Sequence, residues 1–217
     1  IVELGAGTGQ FSYYVVKRIL YLLSLWGLDI LSFCYVMTDF THKNVNYWKK
    51  HSALQPLFAE GVMDCAVFDF EQDSYIRLEN SNVTLSENSV SAPLTVIANY
   101  LFDTVKADVF QVKDQQVKES KVALYLAQKH AKTNKINWPK VDFEYLSKDI
   151  AENYYQQPIL DQILMDYGHT LEDTYIQFPV AALHGLDNLA ALSNGKLFLL
   201  SSDKGHVSLT ELENLDQ

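Results

Sequence analysis

Ile1-Val2-Glu3-Leu4-Gly5-Ala6-Gly7-Thr8-Gly9-Gln10-Phe11 opens the chain and decides its fold. An apolar run, an acid two residues before the first of three alternating glycines, and a helical pattern after them predict a strand, a tight turn and a helix N-terminus. Glycines at 5, 7 and 9 allow φ > 0 and a close approach of backbone to ligand, and the first N–H groups of the helix face whatever is bound. A dinucleotide fingerprint has its third glycine one residue later, where this chain has Gln10. A pyrophosphate-binding, nicotinamide-dependent oxidoreductase is therefore the weakest reading of the turn.

Outward from the turn, strands and helices alternate. From Gln10 to about Leu25 the apolar positions Phe11, Tyr14, Val15, Ile19, Leu22, Leu23 and Trp26 recur at helical spacing, with Lys17 and Arg18 on another face. Gly27 and Asp29 end this helix, and Leu31 to Met37 reads as a second strand closed by Thr38-Asp39-Phe40. An acid at the carboxyl end of the second strand of a doubly wound sheet lies beside the cofactor crevice and can accept from two ribose hydroxyls. Asp39 is that candidate, and a helix N-cap or turn acid is an equal alternative. Residues from about Thr41 to Ala59 read as one helix with Val45, Trp48 and Leu54 inward, followed by a third strand, Val62 to Phe68, closed by Asp69-Phe70-Glu71.

The polar stretch from about Gln72 to Ala92 reads as a helix or a surface loop. Pro93 to Ala98 is almost wholly apolar, as a central parallel strand buried on both faces should be, and it runs into Asn99-Tyr100-Leu101-Phe102-Asp103. Val109 to Val112 and Val117 to Leu124 alternate around Asp114-Gln115-Gln116 as a hairpin would. From about 127 to 178 an aromatic and acidic insertion, with Trp138, Tyr145, Tyr154, Tyr155, Tyr167 and Tyr175, reads as helices over the crevice. A helix from about Pro179 to Leu192, a stop at Asn194-Gly195 and a fifth strand, Lys196 to Ser202, complete the pattern.

The 217 residues suit a single domain, 1–217, with the insertion 127–178 inside it. Lys plus Arg number 17 against 27 Asp plus Glu, a net charge of −10, which disfavours nucleic acid as the main partner. Ile19 to Met37 approaches the ~20 residues of a membrane span, but Gly27 and Asp29 interrupt it, so no span is expected. Cys34 and Cys65 read as buried free thiols rather than a disulfide. The six histidines show no metal-type spacing, so no metal site is expected. Because the first residue already sits in a strand, and two closing strands of the usual sheet find no sequence, the chain is expected to be a fragment incomplete at both ends. Its compartment is left open, with the cytoplasm favoured.

Glu3-x-Gly5-x-Gly7-x-Gly9 resembles the first motif of the Rossmann-like, class I S-adenosylmethionine-dependent methyltransferases. Ala98-Asn99-Tyr100-Leu101-Phe102-Asp103 is similar to the Ala-Asn-Glu-Phe-Phe-Asp stretch of their MidA-type members, a family that includes a mitochondrial factor methylating an arginine of a respiratory complex I subunit. Tyr100 stands where that family has glutamate. The hairpin follows in the same place, and Asp203-Lys204-Gly205 falls where relatives have Asp-Tyr-Gly.

The resemblance implies an α/β, doubly wound, mostly parallel sheet with an added hairpin, holding S-adenosylmethionine. Glu3, Gly5, Gly7 and Gly9 form the cofactor turn, Asp39 takes the ribose, Asp69 binds the adenine amino group and Phe70 packs the ring. Asn99 binds the cofactor's amino group or the acceptor. Methyl transfer is mostly positioning, and where the acceptor is an amine or guanidinium a carboxylate can orient it and receive its proton. Asp103 is the first candidate for that task. The acceptor is expected to be a protein or small molecule, with protein arginine implied by the family alone. The other reading is an inactive methyltransferase-fold assembly module.

Overall fold

The computed structural model describes residues 1–30, 33–126, 136, 138–205, 208 and 210–211. Its contacts divide the chain into two compact units, Ile1–Lys106 with Val180–Lys204, and Ala107–Pro179 with Gly205–Gln217. The second unit includes the hairpin together with most of the stretch read as an insertion.

The first unit is a five-stranded parallel sheet. In chain order its elements are β1 (Val2–Leu4), α1 (Gln10–Trp26), β2 (Tyr35–Asp39), α2 (His42–Trp48), α3 (Gln55–Ala59), β3 (Met63–Val67), a short pair β4 (Ile76–Arg77) and β5 (Thr84–Leu85), and β6 (Leu94–Asn99). The chain returns to this unit at α5 (Val180–Leu192) and β11 (Leu197–Ser202). The spatial order is β11-β6-β1-β2-β3, so the chain winds outward from β1 on one side and then crosses to the other. This is the doubly wound arrangement, and its switch point lies between β1 and β6.

Alternation along the strands divides the core between the two faces of the sheet. Val2, Leu4, Val36, Ala66, Val96 and Ala98 pack with Phe68, Phe70 and the α5 residues Ala182, Leu189 and Leu192. Tyr35, Met37, Met63 and Cys65 pack with Val16 of α1, Val45 and Trp48 of α2, and Leu54 and Leu57 beside and within α3. Cys34 and Cys65 are both free, and burial pushes the Cys65 thiol up to about 12.

Four local readings change. α1 turns a different stripe inward from the one its apolar residues suggest: Ser12, Val16 and Leu23 are buried, whereas Phe11, Tyr14 and Trp26 are exposed. The single helix expected from Thr41 to Ala59 is two. Pro56 lies in the first turn of α3, where its missing N–H costs nothing, and it disfavours a continuous helix through the residue before it. β2 begins at Tyr35, and positions 31–32 of the strand expected there lie outside the described residues. The polar stretch 72–92 contains no helix, only the β4–β5 pair in irregular chain. Asp64, buried in β3, holds that chain down: its carboxylate accepts from the N–H groups of Asn80 and Ser81, both at 3.0 Å.

The second unit is a four-stranded antiparallel sheet of β7 (Asp108–Lys113), β8 (Gln116–Leu126), β9 (Val141–Asp149) and β10 (Thr174–Phe178), in the order β10-β7-β8-β9, with the helix α4 (Pro158–Thr170). The expected hairpin is present. Asp114 and Gln115 both have positive φ, 52° and 61°, as a two-residue type I′ turn requires. The insertion expected to be helical is divided between helix and strand, with β9 and β10 on either side of α4. Only α4 and a single 3₁₀ turn at Trp138–Lys140 are helical among its described residues, and 127–135 lie outside them. Phe110 gathers Tyr154, Tyr155 and Phe178 edge-on around it, so those insertion aromatics are packing.

Gly185 of α5 is held to a bare backbone by Phe70. A Cβ there would lie 2.5 Å from the Phe70 ring and 2.7 Å from its carbonyl oxygen. Gly185→Ala should therefore lower stability by about 1–3 kcal/mol, the usual cost of overpacking, read as an earlier urea midpoint. Gly195→Ala, with open space around its Cβ, should lose only the smaller cost of its φ of +78°.

Candidate functional site

The glycine turn forms as its sequence dictates. Gly5, Gly7 and Gly9 have φ of 66°, 55° and 76°, all left-handed, and a tight sequence of backbone bonds shapes the loop. The Ala6 N–H donates to Thr38 (2.9 Å), the Gly9 N–H to Ala6 (2.8 Å) and the Tyr13 N–H to Gly9 (3.0 Å). Trp48 of α2, wholly buried, donates from Nε1 to the Gly7 carbonyl at 2.9 Å. A Cβ on Gly9 would come within 2.6 Å of Met37 Cε and 3.3 Å of the Trp48 ring, so a side chain here would strain the backbone at φ +76° and require Met37 to move.

Glu3 lies behind the turn rather than in the crevice. It is buried, and its Oε2 accepts from the hydroxyls of Ser12 (a short contact) and Tyr35 (2.9 Å). Its own carbonyl accepts from Thr38 Oγ1 at 2.8 Å. Burial raises its pKa above the ordinary value, and the two hydroxyl bonds oppose that rise. The carboxylate ties β1 to α1 and β2. It positions the turn.

Asp39 ends β2 and is almost fully buried. Its Oδ1 accepts from the Thr41 N–H (2.8 Å) and Thr41 Oγ1 (2.7 Å), and its Oδ2 from Asn44 Nδ2 (2.7 Å). This is the helix-start role that the sequence weighed equally with ribose binding. Oδ2, with one donor, keeps lone-pair capacity for another.

A cavity of about 300 Å³ opens at the carboxyl ends of β1, β2, β3 and β6. Of the residues singled out in the sequence, Gly5, Asp69 and Phe70 line it. Asp69 is half-buried, and its carboxylate accepts from the Glu71 N–H (3.0 Å) and Gln72 Nε2 (2.9 Å). Phe70 is buried and meets Phe102 edge-on at 6.0 Å. Leu4, Thr38, Phe40, Phe68, Gln72, Leu101, Thr104 and Val105 also line it. Glu71 and Lys106 close one end, with Nζ to Oε2 at 2.9 Å and the Lys106 N–H to Oε1 at 2.8 Å. These residues were missed although each neighbours a chosen strand end. The available signal was adjacency: Thr38 and Phe40 flank Asp39, and Leu101 lies inside the stretch that was chosen.

Asn99 and Asp103 are exposed and are not among the cavity's lining residues. Asn99 pairs with Ser202 at the end of β6, and Tyr100 follows with φ of 51°, its N–H donating to Ser202 (2.8 Å). This left-handed step turns Leu101 back toward Gly5, whose Cβ, if present, would touch Leu101 Cδ1 at 3.2 Å. The Asp103 N–H donates to Asp203 Oδ2 at 3.2 Å, so the two acidic strand-end segments named in the sequence do meet. Among the described residues no cluster of three or more His, Cys, Asp or Glu side chains could hold a metal ion, and no helix is long and apolar enough to cross a membrane.

No family model matches the chain, and no curated protein matches it. Two solved structures from Burkholderia thailandensis are similar to it at 14% identity. One is a COG1565 superfamily member, provisionally identified as a methyl transferase and bound to S-adenosyl-homocysteine. It has a TM-score of 0.51, over 90% of this chain and 38% of that one. The other is a native structure of an uncharacterized COG1565 superfamily protein, with a TM-score of 0.55 over 97% of this chain and 44% of that one. The chain thus spans about two fifths of the length of these proteins. At this identity the likeness shows the fold alone, a broadly Rossmann-like α/β architecture.

The buried Glu3 makes a test of the turn. A carboxyl whose folded pKa is raised binds its proton more tightly in the native state, so its contribution is complete below the unfolded value near 4.5 and is lost as pH rises through the folded one. The stability of the wild type relative to Glu3→Gln should therefore fall between pH 4 and pH 7, read from paired urea midpoints. A difference that rises with pH would mean that the two hydroxyl bonds outweigh burial.

Proposed function

We propose that the chain binds S-adenosylmethionine in the cavity beside the glycine turn and transfers its methyl group to an acceptor. The observation that carries this reading is the cavity's position. It lies at the carboxyl ends of the strands on both sides of the switch point, where open α/β sheets bind ligands, and its volume is at the lower end of the ~300–1,000 Å³ range of small-molecule sites. The donor set fits the cofactor. Phe40, Phe68 and Phe70 offer apolar packing to a flat ring, and Asp69 offers a carboxylate to an exocyclic amine. Asp39 Oδ2 retains capacity for a ribose hydroxyl, and the left-handed glycine turn brings bare backbone close. A protein of the same fold carries S-adenosyl-homocysteine, which supports the choice of cofactor.

When bound, the cofactor supplies a methyl group already activated on a sulfonium. The chain's own part is then to align the acceptor and exclude water. Asp103, beside Asp203 at the rim, is assigned the orienting of a cationic acceptor and the receipt of its proton. Asn99 is assigned the cofactor's amino group or the acceptor. A protein arginine is the acceptor that the MidA resemblance suggests. The second reading, an assembly module that keeps the fold without turnover, is favoured by one observation: neither Asn99 nor Asp103 lines the cavity.

Calorimetric titration with S-adenosylmethionine, beside an NADH control, decides between them. Saturable binding is expected in the wild type, lost in Gly7→Arg and weakened about tenfold or more in Asp69→Ala and Asp39→Ala, the worth of a hydrogen bond to a charged group. Near-UV circular dichroism checks that each variant is folded. Absence of binding by the folded wild type would leave the assembly module, and binding of NADH instead would reverse the reading of the glycine spacing.

A further inference from the structure

The sheet of the second unit ends in an open edge. Among the described residues β9 is paired on one side only, to β8, through nine consecutive one-to-one partners from Lys118↔Asp149 to Leu126↔Val141. No bulge interrupts this register, no proline or glycine lies in the strand, and Asp142 to Asp149 are all exposed. Edge strands are ordinarily kept short, bulged or blocked by proline, because an open row of N–H and C=O groups is a template for another strand. One face of this edge is also apolar. Phe143 lies opposite Leu124 and Tyr145 opposite Val122, and all four are more than half exposed. Contiguous exposed apolar side chains of this kind mark interaction surfaces.

Reversed against itself about Tyr145, the sequence of β9, Val-Asp-Phe-Glu-Tyr-Leu-Ser-Lys-Asp, sets Asp142 against Lys148, with Val141 against Asp149 and Glu144 against Leu146. We propose that β9 pairs antiparallel with β9 of a second copy, about a two-fold axis through Tyr145, joining two four-stranded sheets into one. A two-fold axis perpendicular to the sheet keeps each residue on its own face, which limits the registers to those centred on a residue. Centring on Tyr145 overlaps the whole strand and places Asp142 opposite Lys148 twice, Phe143 opposite Ser147 and Tyr145 opposite itself. Centring on Glu144 sets that acid against itself and Lys148 against Lys140. Centring on Leu146 keeps a Glu144–Lys148 pair but pushes Val141 past the end of the partner strand.

In the chosen register the charge pattern continues across the joint. Glu119 of β8 lies directly opposite Lys148, and the second copy's Asp142 would flank that lysine on its other side. The apolar faces of the two copies also run together through Phe143, Tyr145, Val122 and Leu124. Opposite charges directly across strands stabilise a ladder, and like charges there oppose it. The occupant is therefore identified by the edge's own charges and register rather than by its exposure.

Sedimentation analysis of the chain at 0.15 M salt tests the pairing, since charges more than ~8 Å apart are then largely screened. A dimer is expected. Lys148→Asp should weaken it about tenfold or more, and Asp142→Lys combined with Lys148→Asp should restore it. Residues directly opposite in an antiparallel pair have Cα atoms about 4.5–5.5 Å apart, within disulfide reach. Oxidised Tyr145→Cys should therefore give a covalent dimer that Phe143→Cys and the wild type do not. A monomer up to high concentration would overturn the proposal. So would a dimer indifferent to Lys148→Asp and not captured through position 145, or a monomer that instead takes up an unrelated extended peptide along β9.

Discussion

The buried carboxylate of Glu3 is the constraint from which the first unit follows. One oxygen receives the hydroxyl of Ser12 on α1 and that of Tyr35 on β2, and the residue's carbonyl receives Thr38. Three elements that diverge from the glycine turn are thus joined within one hydrogen-bonded group. A hydrogen bond to a charged partner contributes about 1.5–3 kcal/mol, and a buried carboxylate without its partners would be far more costly. This arrangement also explains the rotation of α1. Ser12 must face Glu3, so Val16 and Leu23 follow it inward, while Phe11, Tyr14 and Trp26 are carried outward.

With the turn fixed from behind by Glu3 and from the side by the Trp48 bond to Gly7, the cavity in front is shaped mainly by backbone and apolar groups. Its polar members are already engaged with the chain: Asp69 organises the bend after β3 and Glu71 holds Lys106, while Asp39, outside the lining, binds Thr41 and Asn44 before and within α2. Each carboxylate is therefore pre-oriented before any ligand arrives, which lowers the entropic cost of binding. The same engagement limits how many new hydrogen bonds they can offer, so a ligand here would gain more from ring packing and shape than from charge.

The second unit follows a different rule. Its sheet is antiparallel and its core is a cluster of aromatic rings around Phe110, with α4 alongside β7 and β8. The hydroxyls of Tyr154 and Tyr155 reach Glu119 (3.0 Å) and Asp108 (2.8 Å), and burial together with those acids pushes the Tyr154 phenol up to about 12. Asp161 accepts from the Tyr155 and Gln157 N–H groups at the start of α4. Packing is thus concentrated on β7 and β10, and β9, whose Tyr145 meets Tyr175, is left among the described residues with exposed apolar side chains and an open edge.

The sequence by itself determined the strand–turn–helix opening, because three alternating glycines tolerate φ values that other residues rarely adopt. It also determined the near-continuous apolar parallel strands and the hairpin at Asp114-Gln115, all of which are local signals. The break between α2 and α3 was available in Pro56 and was outweighed by the inward spacing of Val45, Trp48 and Leu54, which the structure retains across both helices. Only the tertiary structure decided that Glu3 is a brace, that Asp39 is occupied by Thr41 and Asn44, and that Leu101 rather than Asn99 lines the cavity. It also decided that the insertion's Tyr154, Tyr155 and Phe178 pack around Phe110. The physical reason is common to all of these. Periodicity records which side chains avoid water, but the direction of a polar side chain depends on partners many residues away, and burial of aromatic rings satisfies a helix and a sheet equally well.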